Sequence, residues 1–149
     1  MVRVLMVCLG NICRSPLAEG ILRSKVDSQK IFVDSAGTAN YHVGDMPDGR
    51  SVAVAGKNNI DISAQRGRQF SVADFDRFDY IYVMDNYNRR DILSLARNDS
   101  DKAKVQMILN EVFPGENVDV PDPYYGGEFG FESVFKLLDT ACTAIAEKL

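Results

Sequence analysis

Apolar side chains recur along this chain with two different periods. Val2 to Val7 is a β-branched, nearly unbroken apolar run that ends in Cys-Leu-Gly-Asn. That is the pattern of a strand buried on both faces and entering a turn. Ser15-Pro16 then offers a helix N-cap and a first-turn proline, followed by Leu17, Ala18, Ile21 and Leu22 on one helical face. Ile31 to Ala36, closed by Gly37, predicts a second strand, and a helix carrying Val52, Val54 and Ala55 follows Pro47. Ser71 to Asp74 has the form of a capping box for a short helix. Tyr80 to Met84 predicts a third buried strand, Asn86 to Arg97 a helix with Ile92, Leu93 and Leu95, and Val105 to Leu109 a fourth strand. From Phe131 onward, Val134, Leu137, Leu138, Ala141, Cys142 and Ile145 repeat at helical spacing, which predicts a C-terminal amphipathic helix.

Strands alternating with helices predict an α/β sandwich around a mostly parallel sheet. Ligands of such sheets bind at the carboxyl ends of the strands, and Cys8 stands at the end of the first one. No repeat, low-complexity tract or linker interrupts the 149 residues, so one domain over 1–149 is expected.

The segment Cys8-Leu9-Gly10-Asn11-Ile12-Cys13-Arg14-Ser15 joins that strand to the helix. A loop of this length can curl so that successive backbone N–H groups point inward as an anion nest. The helix behind it adds unpaired first-turn donors and its positive dipole end. Gly10 and Asn11 are residue types that tolerate positive φ, as a tight ring of amides requires. A cysteine at a helix N-terminus beside a guanidinium is favoured as thiolate. Arg14 offers a planar fork suited to two phosphate oxygens. Nucleophile, oxyanion donors and cationic clamp thus come from eight consecutive residues, and such a design calls for no metal and no cofactor. The competing reading, a small buried cysteine next to a solvated arginine, suits Cys8 alone but not the whole spacing.

Composition removes other classes. Seventeen basic against twenty-one acidic side chains give a net charge of −4, which argues against a nucleic-acid partner. No apolar stretch is long enough for a membrane span, so no membrane partner is expected. Three cysteines without an export signal suggest reduced thiols and a cytoplasmic location. A Walker A loop is excluded because no Gly-Lys-Ser/Thr follows, and three cysteines with one histidine, His42, match no closed zinc set. Cys13 could capture an oxidised Cys8 as a disulfide or merely pack beneath the loop; Cys142 reads as core.

These residues resemble the low-molecular-weight protein tyrosine phosphatase family over nearly the whole chain. VCLGNICRSP at 7–16 matches its catalytic loop, and DSAGT at 34–38, RGRQF at 66–70, MDNYN at 84–88 and DPYYGG at 122–127 match further family segments in order. The resemblance implies a three-layer α/β sandwich, a four-stranded parallel twisted sheet flanked by helices on both faces. It implies metal-independent hydrolysis of phosphotyrosine on proteins, or of small aryl phosphates, through a phosphocysteine intermediate, with inorganic phosphate as product. It makes Cys8, Arg14 and Asp122 the catalytic set, Asp122 being the general acid. Pro121 and Pro123 stiffen the loop around that aspartate. Leu9, Gly10, Asn11, Ile12, Cys13 and Ser15 complete the phosphate-binding loop. Ser15 is implied to hydrogen-bond the sulfur, although the same hydroxyl could serve as N-cap. Ser35 and Asp85 are implied as loop supports, and Tyr41, Tyr124 and Tyr125 as walls of an aryl slot. A monomer is expected.

The chain departs from many relatives at Gln65, where they place a histidine; an amide there can still donate. His42 reads as an exposed loop residue, with a contact at the slot's lip as the other reading. Two rival functions share these features. An arsenate reductase on the same scaffold would need relay cysteines after the third strand, and residues 80–100 contain none. A non-catalytic phosphate-binding or redox-sensing module would not need the Asp122 acid.

Overall fold

Val4 to Val7 have no solvent exposure at all, which places strand β1 (Val2–Cys8) in the middle of a sheet covered on both faces. The structure, a computed structural model, describes residues 1–125 and 127–149, with side chains outside 125–129. Strand β1 lies between β2 (Ile31–Gly37) and β3 (Tyr80–Val83), with β4 (Val105–Met107) beyond β3, all parallel in the order β2-β1-β3-β4. The register sets Cys8 opposite Gly37 and Val7 opposite Val83, so the three strand ends meet at one edge of the sheet.

Alternation along β1 divides the core. Val4 and Met6 face Leu17 and Ile21 of α1 (Arg14–Lys25) and Leu138 and Cys142 of α6 (Gly127–Lys148), with α2 (Gly49–Lys57) beside them through Val54. Leu5 and Val7 face the opposite layer, where Phe70 and Phe75 meet edge to face at 5.2 Å and Ile92 closes over Val83. That layer holds α3 (Asp74–Arg77) and α4 (Asn86–Ser94). Each buried leucine or isoleucine contributes roughly 1.5–3 kcal/mol. The two-sided core therefore holds β1, and the loop after it, rigidly. Among the described residues no helix is long and apolar enough to cross a membrane.

The expected elements are present with shifted ends. The helix expected over 86–97 stops at Ser94, and a separate α5 (Asp99–Lys104) follows, capped by the Asn98 side chain on the Asp101 N–H at 2.8 Å. Its polar sequence carries no apolar stripe, so periodicity could not reveal it. Strand β4 ends at Met107, where the chain tightens into a 3₁₀ turn (Ile108–Glu111). The box at 71–74 is half formed: the Asp74 carboxylate accepts from the Ser71 N–H at 2.9 Å, while Ala73 stands at the cap position. Helix α1 begins at Arg14, with Cys13 at its N-cap and no side-chain cap. Ser15 therefore lies inside the first turn, and its hydroxyl is free for other work.

Candidate active site

The loop after β1 is turned by hydrogen bonds to its carbonyls. Thr38 N–H donates to the Cys8 carbonyl at 2.9 Å and Ala39 N–H to that of Leu9 at 3.0 Å. On the other side Asp48 N–H donates to the Ile12 carbonyl at 2.8 Å, and the Ser51 hydroxyl to that of Cys13 at 3.3 Å. With its carbonyls tied outward to the segment after β2 and to the start of α2, the loop is left with its N–H groups. Among the described residues no protein acceptor takes those of Gly10, Ile12 or Cys13, and all three residues line one cavity. Positive φ is needed once, at Asn11 (58°); Gly10 does not use it. The close approach falls instead on Gly37, where a Cβ would stand 2.8 Å from the Leu9 carbonyl oxygen.

Cys8 is buried at the floor of this cavity, whose volume is about 230 Å³. Its Sγ receives the Asn11 N–H at 3.3 Å and lies 3.0 Å from the Ser15 Oγ. Asn11 Nδ2 donates to Ser15 Oγ at 2.8 Å and to Ser35 Oγ at 2.9 Å, while its Oδ1 accepts from the Arg68 N–H at 3.1 Å. A backbone N–H can only donate, so the Asn11 amide has one orientation. Ser15 Oγ accepts from Asn11, which leaves its own proton available to a thiolate at Cys8.

Arg14 is buried at the cavity wall, and its Nη1 donates to Asp85 Oδ2 at 2.8 Å and to the Val120 carbonyl at 2.9 Å. Burial alone would disfavour its charge, but the Cys8 sulfur and the Asp85 and Asp122 carboxylates more than offset this and raise its pKa. Asp85 serves two purposes with two oxygens. Oδ1 caps α4 by accepting the Asn88 N–H at 2.7 Å, and Oδ2 holds the guanidinium. Asp122 stands across the cavity, its Oδ2 3.7 Å from Arg14 Nη2 and its Oδ1 accepting the Tyr124 N–H at 3.0 Å. Its side chain is 39% exposed and lines the cavity.

Tyr41, His42 and Tyr124 rise around the mouth of the same cavity. His42 is thus at the lip rather than merely in a loop, oriented by Asp45 at 3.0 Å from its Nδ1. The Arg50 guanidinium lies over the Tyr124 ring at 5.3 Å and the Phe131 ring at 4.6 Å, and Asp48 holds it in place. The Tyr125 side chain lies outside the described residues. Cys13 packs in the core, where burial, with Asp48, Cys8 and Asp122 adding to it, pushes its thiol up to about 12. Leu9 is partly exposed at the rim. Among the described residues no group of three or more His, Cys, Asp or Glu could hold a metal ion.

Three participants were not singled out as site residues by the sequence. Arg68 binds Asp34 and Asp74 while its backbone fixes Asn11. The Val120 carbonyl holds Arg14. Glu19, in mid-helix, is buried and accepts the Ser35 hydroxyl at 2.7 Å. Gln65, by contrast, donates its Nε2 to the Pro16 carbonyl at 3.1 Å and takes no hydrogen bond with Asn11.

The model of the family described as low molecular weight phosphotyrosine protein phosphatase matches residues 3–149. A Schizosaccharomyces pombe protein named low molecular weight phosphotyrosine protein phosphatase is 42% identical, with 87% of this chain and 85% of the relative covered. A protein tyrosine phosphatase from Entamoeba histolytica, solved with Hepes in its active site, superposes with a TM-score of 0.93 at 36% identity, covering 99% and 96% of the two chains. Vibrio vulnificus Wzb, solved in complex with benzylphosphonate, gives 0.89 at 28% identity and covers 99% of each chain. Matched over almost its entire length by sequence and by fold, the chain belongs to the low molecular weight phosphotyrosine protein phosphatase family.

Proposed function

We propose that the chain hydrolyses phosphotyrosine, on proteins or as small aryl phosphate monoesters, through a covalent phosphate on Cys8 and without a metal. The observation that carries this is the loop at residues 8–15. Its carbonyls are pinned outward, the amides of Gly10, Ile12 and Cys13 are left unspent, and a sulfur at its floor receives the Asn11 N–H with the Ser15 hydroxyl 3.0 Å away. The cavity's aromatic mouth above an anion-binding floor suits an aryl ring joined to an oxyanion, the pair that benzylphosphonate presents to Vibrio vulnificus Wzb.

In the first step the Cys8 sulfur attacks phosphorus in line; an S–P bond forms as the P–O bond to the aryl group breaks. The loop amides and the Arg14 fork stabilise the oxygens that carry the charge. Asp122 gives its proton to the departing phenolate. In the second step a water oxygen bonds to phosphorus, Asp122 takes the water's proton, and the S–P bond breaks to release inorganic phosphate. The Ser15 hydroxyl, aimed at sulfur by Asn11, stabilises the thiolate as it leaves. Tyr41, His42 and Tyr124 flank the ring, with Arg50 bracing Tyr124.

The test is turnover of p-nitrophenyl phosphate and phosphotyrosine peptides in the presence of EDTA. Activity should survive chelation and vanish in Cys8→Ser; loss to EDTA, or activity retained by Cys8→Ser, would overturn the reading.

A further inference from the structure

Glu19 is a buried carboxylate that does not line the substrate cavity, yet a continuous set of side-chain hydrogen bonds joins it to the nucleophile. The set runs from Glu19 Oε1 to the Ser35 hydroxyl (2.7 Å), on to Asn11 Nδ2 (2.9 Å), to Ser15 Oγ (2.8 Å) and to Cys8 Sγ (3.0 Å). Its polarity is forced at each junction. The Arg68 N–H orients the Asn11 amide, so Nδ2 must donate to both serines. Ser35 can accept that bond only if its own proton has somewhere else to go, and Glu19 Oε1 is where it goes.

We propose that Glu19 is a positioning residue for the phosphate loop, its carboxylate drawing off the Ser35 proton so that the Ser35 oxygen can hold Asn11, and through it Ser15, against the sulfur. This rests on the phosphocysteine reading above and adds to it a residue that acts from behind the loop, outside the lining of the substrate cavity.

The other oxygen of the carboxylate, Oε2, pairs with Arg23 Nη1 at 3.0 Å. Asp34 from β2 and Arg68, itself held by Asp74, face the group from the neighbouring elements, and Asp61 and Arg66 stand with Gln65 around the polar cavity beside it. Burial, the largest influence, pushes the Glu19 carboxyl up to about 7, against the Ser35 hydrogen bond and Arg23, which lower it. The group therefore changes charge near neutral pH. When it takes a proton, its bond from Ser35 loses the assistance of a full charge. The weakening passes along the chain of donors, because hydrogen bonds in series polarise one another.

Glu19→Gln keeps the shape and the acceptor oxygen but is neutral at every pH, so it imitates the protonated acid. The experiment measures kcat for p-nitrophenyl phosphate from about pH 5.5 to 8.5 in the wild type, Glu19→Gln, Ser35→Ala and the double variant. The ratio of wild type to Glu19→Gln should be near one at the acid end and rise about three- to tenfold at the alkaline end, as a charge-assisted hydrogen bond exceeds a neutral one. In the Ser35→Ala background the same ratio should stay flat, because the route to sulfur is cut. In the wild type, the Asn11 side-chain amide resonances should titrate together with the Glu19 carboxyl, a readout that needs no variant to fold. A ratio that stays flat across the range, a rise that persists without Ser35, or Asn11 resonances that ignore the titration would each overturn the proposal. An inactive wild type would instead overturn the phosphocysteine reading, so the two failures are distinct.

Discussion

Two arginines in this molecule are each held between a pair of aspartates, and they differ in which of their donors are spent. Arg97 is 42% exposed and nearly filled: four of the five donors of its fork are spent, two on Asp76 and two on Asp101, and the same Asp101 accepts its backbone N–H. Arg14 is buried, yet among the described residues only its Nη1 is engaged in hydrogen bonds, to Asp85 and the Val120 carbonyl. Its Nη2 stands 3.7 Å from Asp122, beyond hydrogen-bond distance. An arginine whose fork is filled ties elements together. One that is fixed by one nitrogen and faces a cavity with the others is prepared for an oxyanion. Charge pairing in the sequence does not separate these cases; donor use and burial do.

The contrast is sharpest in Arg14→Lys, which keeps the charge but not the planar fork. It should lower kcat/KM for aryl phosphates by about 10³-fold, the scale of losing preorganised oxyanion donors, and weaken inhibition by inorganic phosphate. Asp122→Asn should come next, at about 10²-fold or more on phenyl phosphate. Its loss should shrink for esters whose phenolate leaves readily, since these need little help from an acid; an equal loss across leaving groups would remove Asp122 from the acid role.

Glu19 supplies a prediction of stability against pH. Its folded value of about 7 lies above the ordinary glutamate value of 4.5, so the folded chain holds a proton that the unfolded chain releases between those limits. The wild type is therefore favoured below about pH 4.5 and loses that contribution as pH rises through about 7. Glu19→Gln has no such loss, so its stability relative to wild type should improve from acid to alkaline pH by on the order of 3 kcal/mol. Denaturation curves at the two ends check this, and a constant difference would contradict it. The smallest effect belongs to Arg97→Ala: a slight fall in Tm that high salt reduces further, with kcat/KM unchanged.

The chemistry was legible where it was contiguous. Cys8, Asn11, Arg14 and Ser15 lie within one strand–loop–helix unit, so residue type and spacing alone pointed to an anion-binding loop with a nucleophile. Asp85 and Ser35 stood out only through resemblance, and Asp122 was one aspartate among many until the resemblance singled out its Asp-Pro pair. Glu19 was hidden because a charge beside an apolar helical face reads as solvated; its burial comes from β2 and the segment before Arg68 packing over it. Helix α5 was hidden because a six-residue polar helix has no periodic face to detect.

What the sequence determined by itself was the alternation of strand and helix and the placement of a thiol and a guanidinium around one turn, because those depend on neighbours within a few residues. The tertiary structure decided which way that turn faces. Donors from residues 38, 39, 48 and 51 draw its carbonyls outward, and Asn11 is set by Arg68 and Ser35 from distant segments. Those partners are brought together only when the sheet closes, so no local pattern of residues could have announced them.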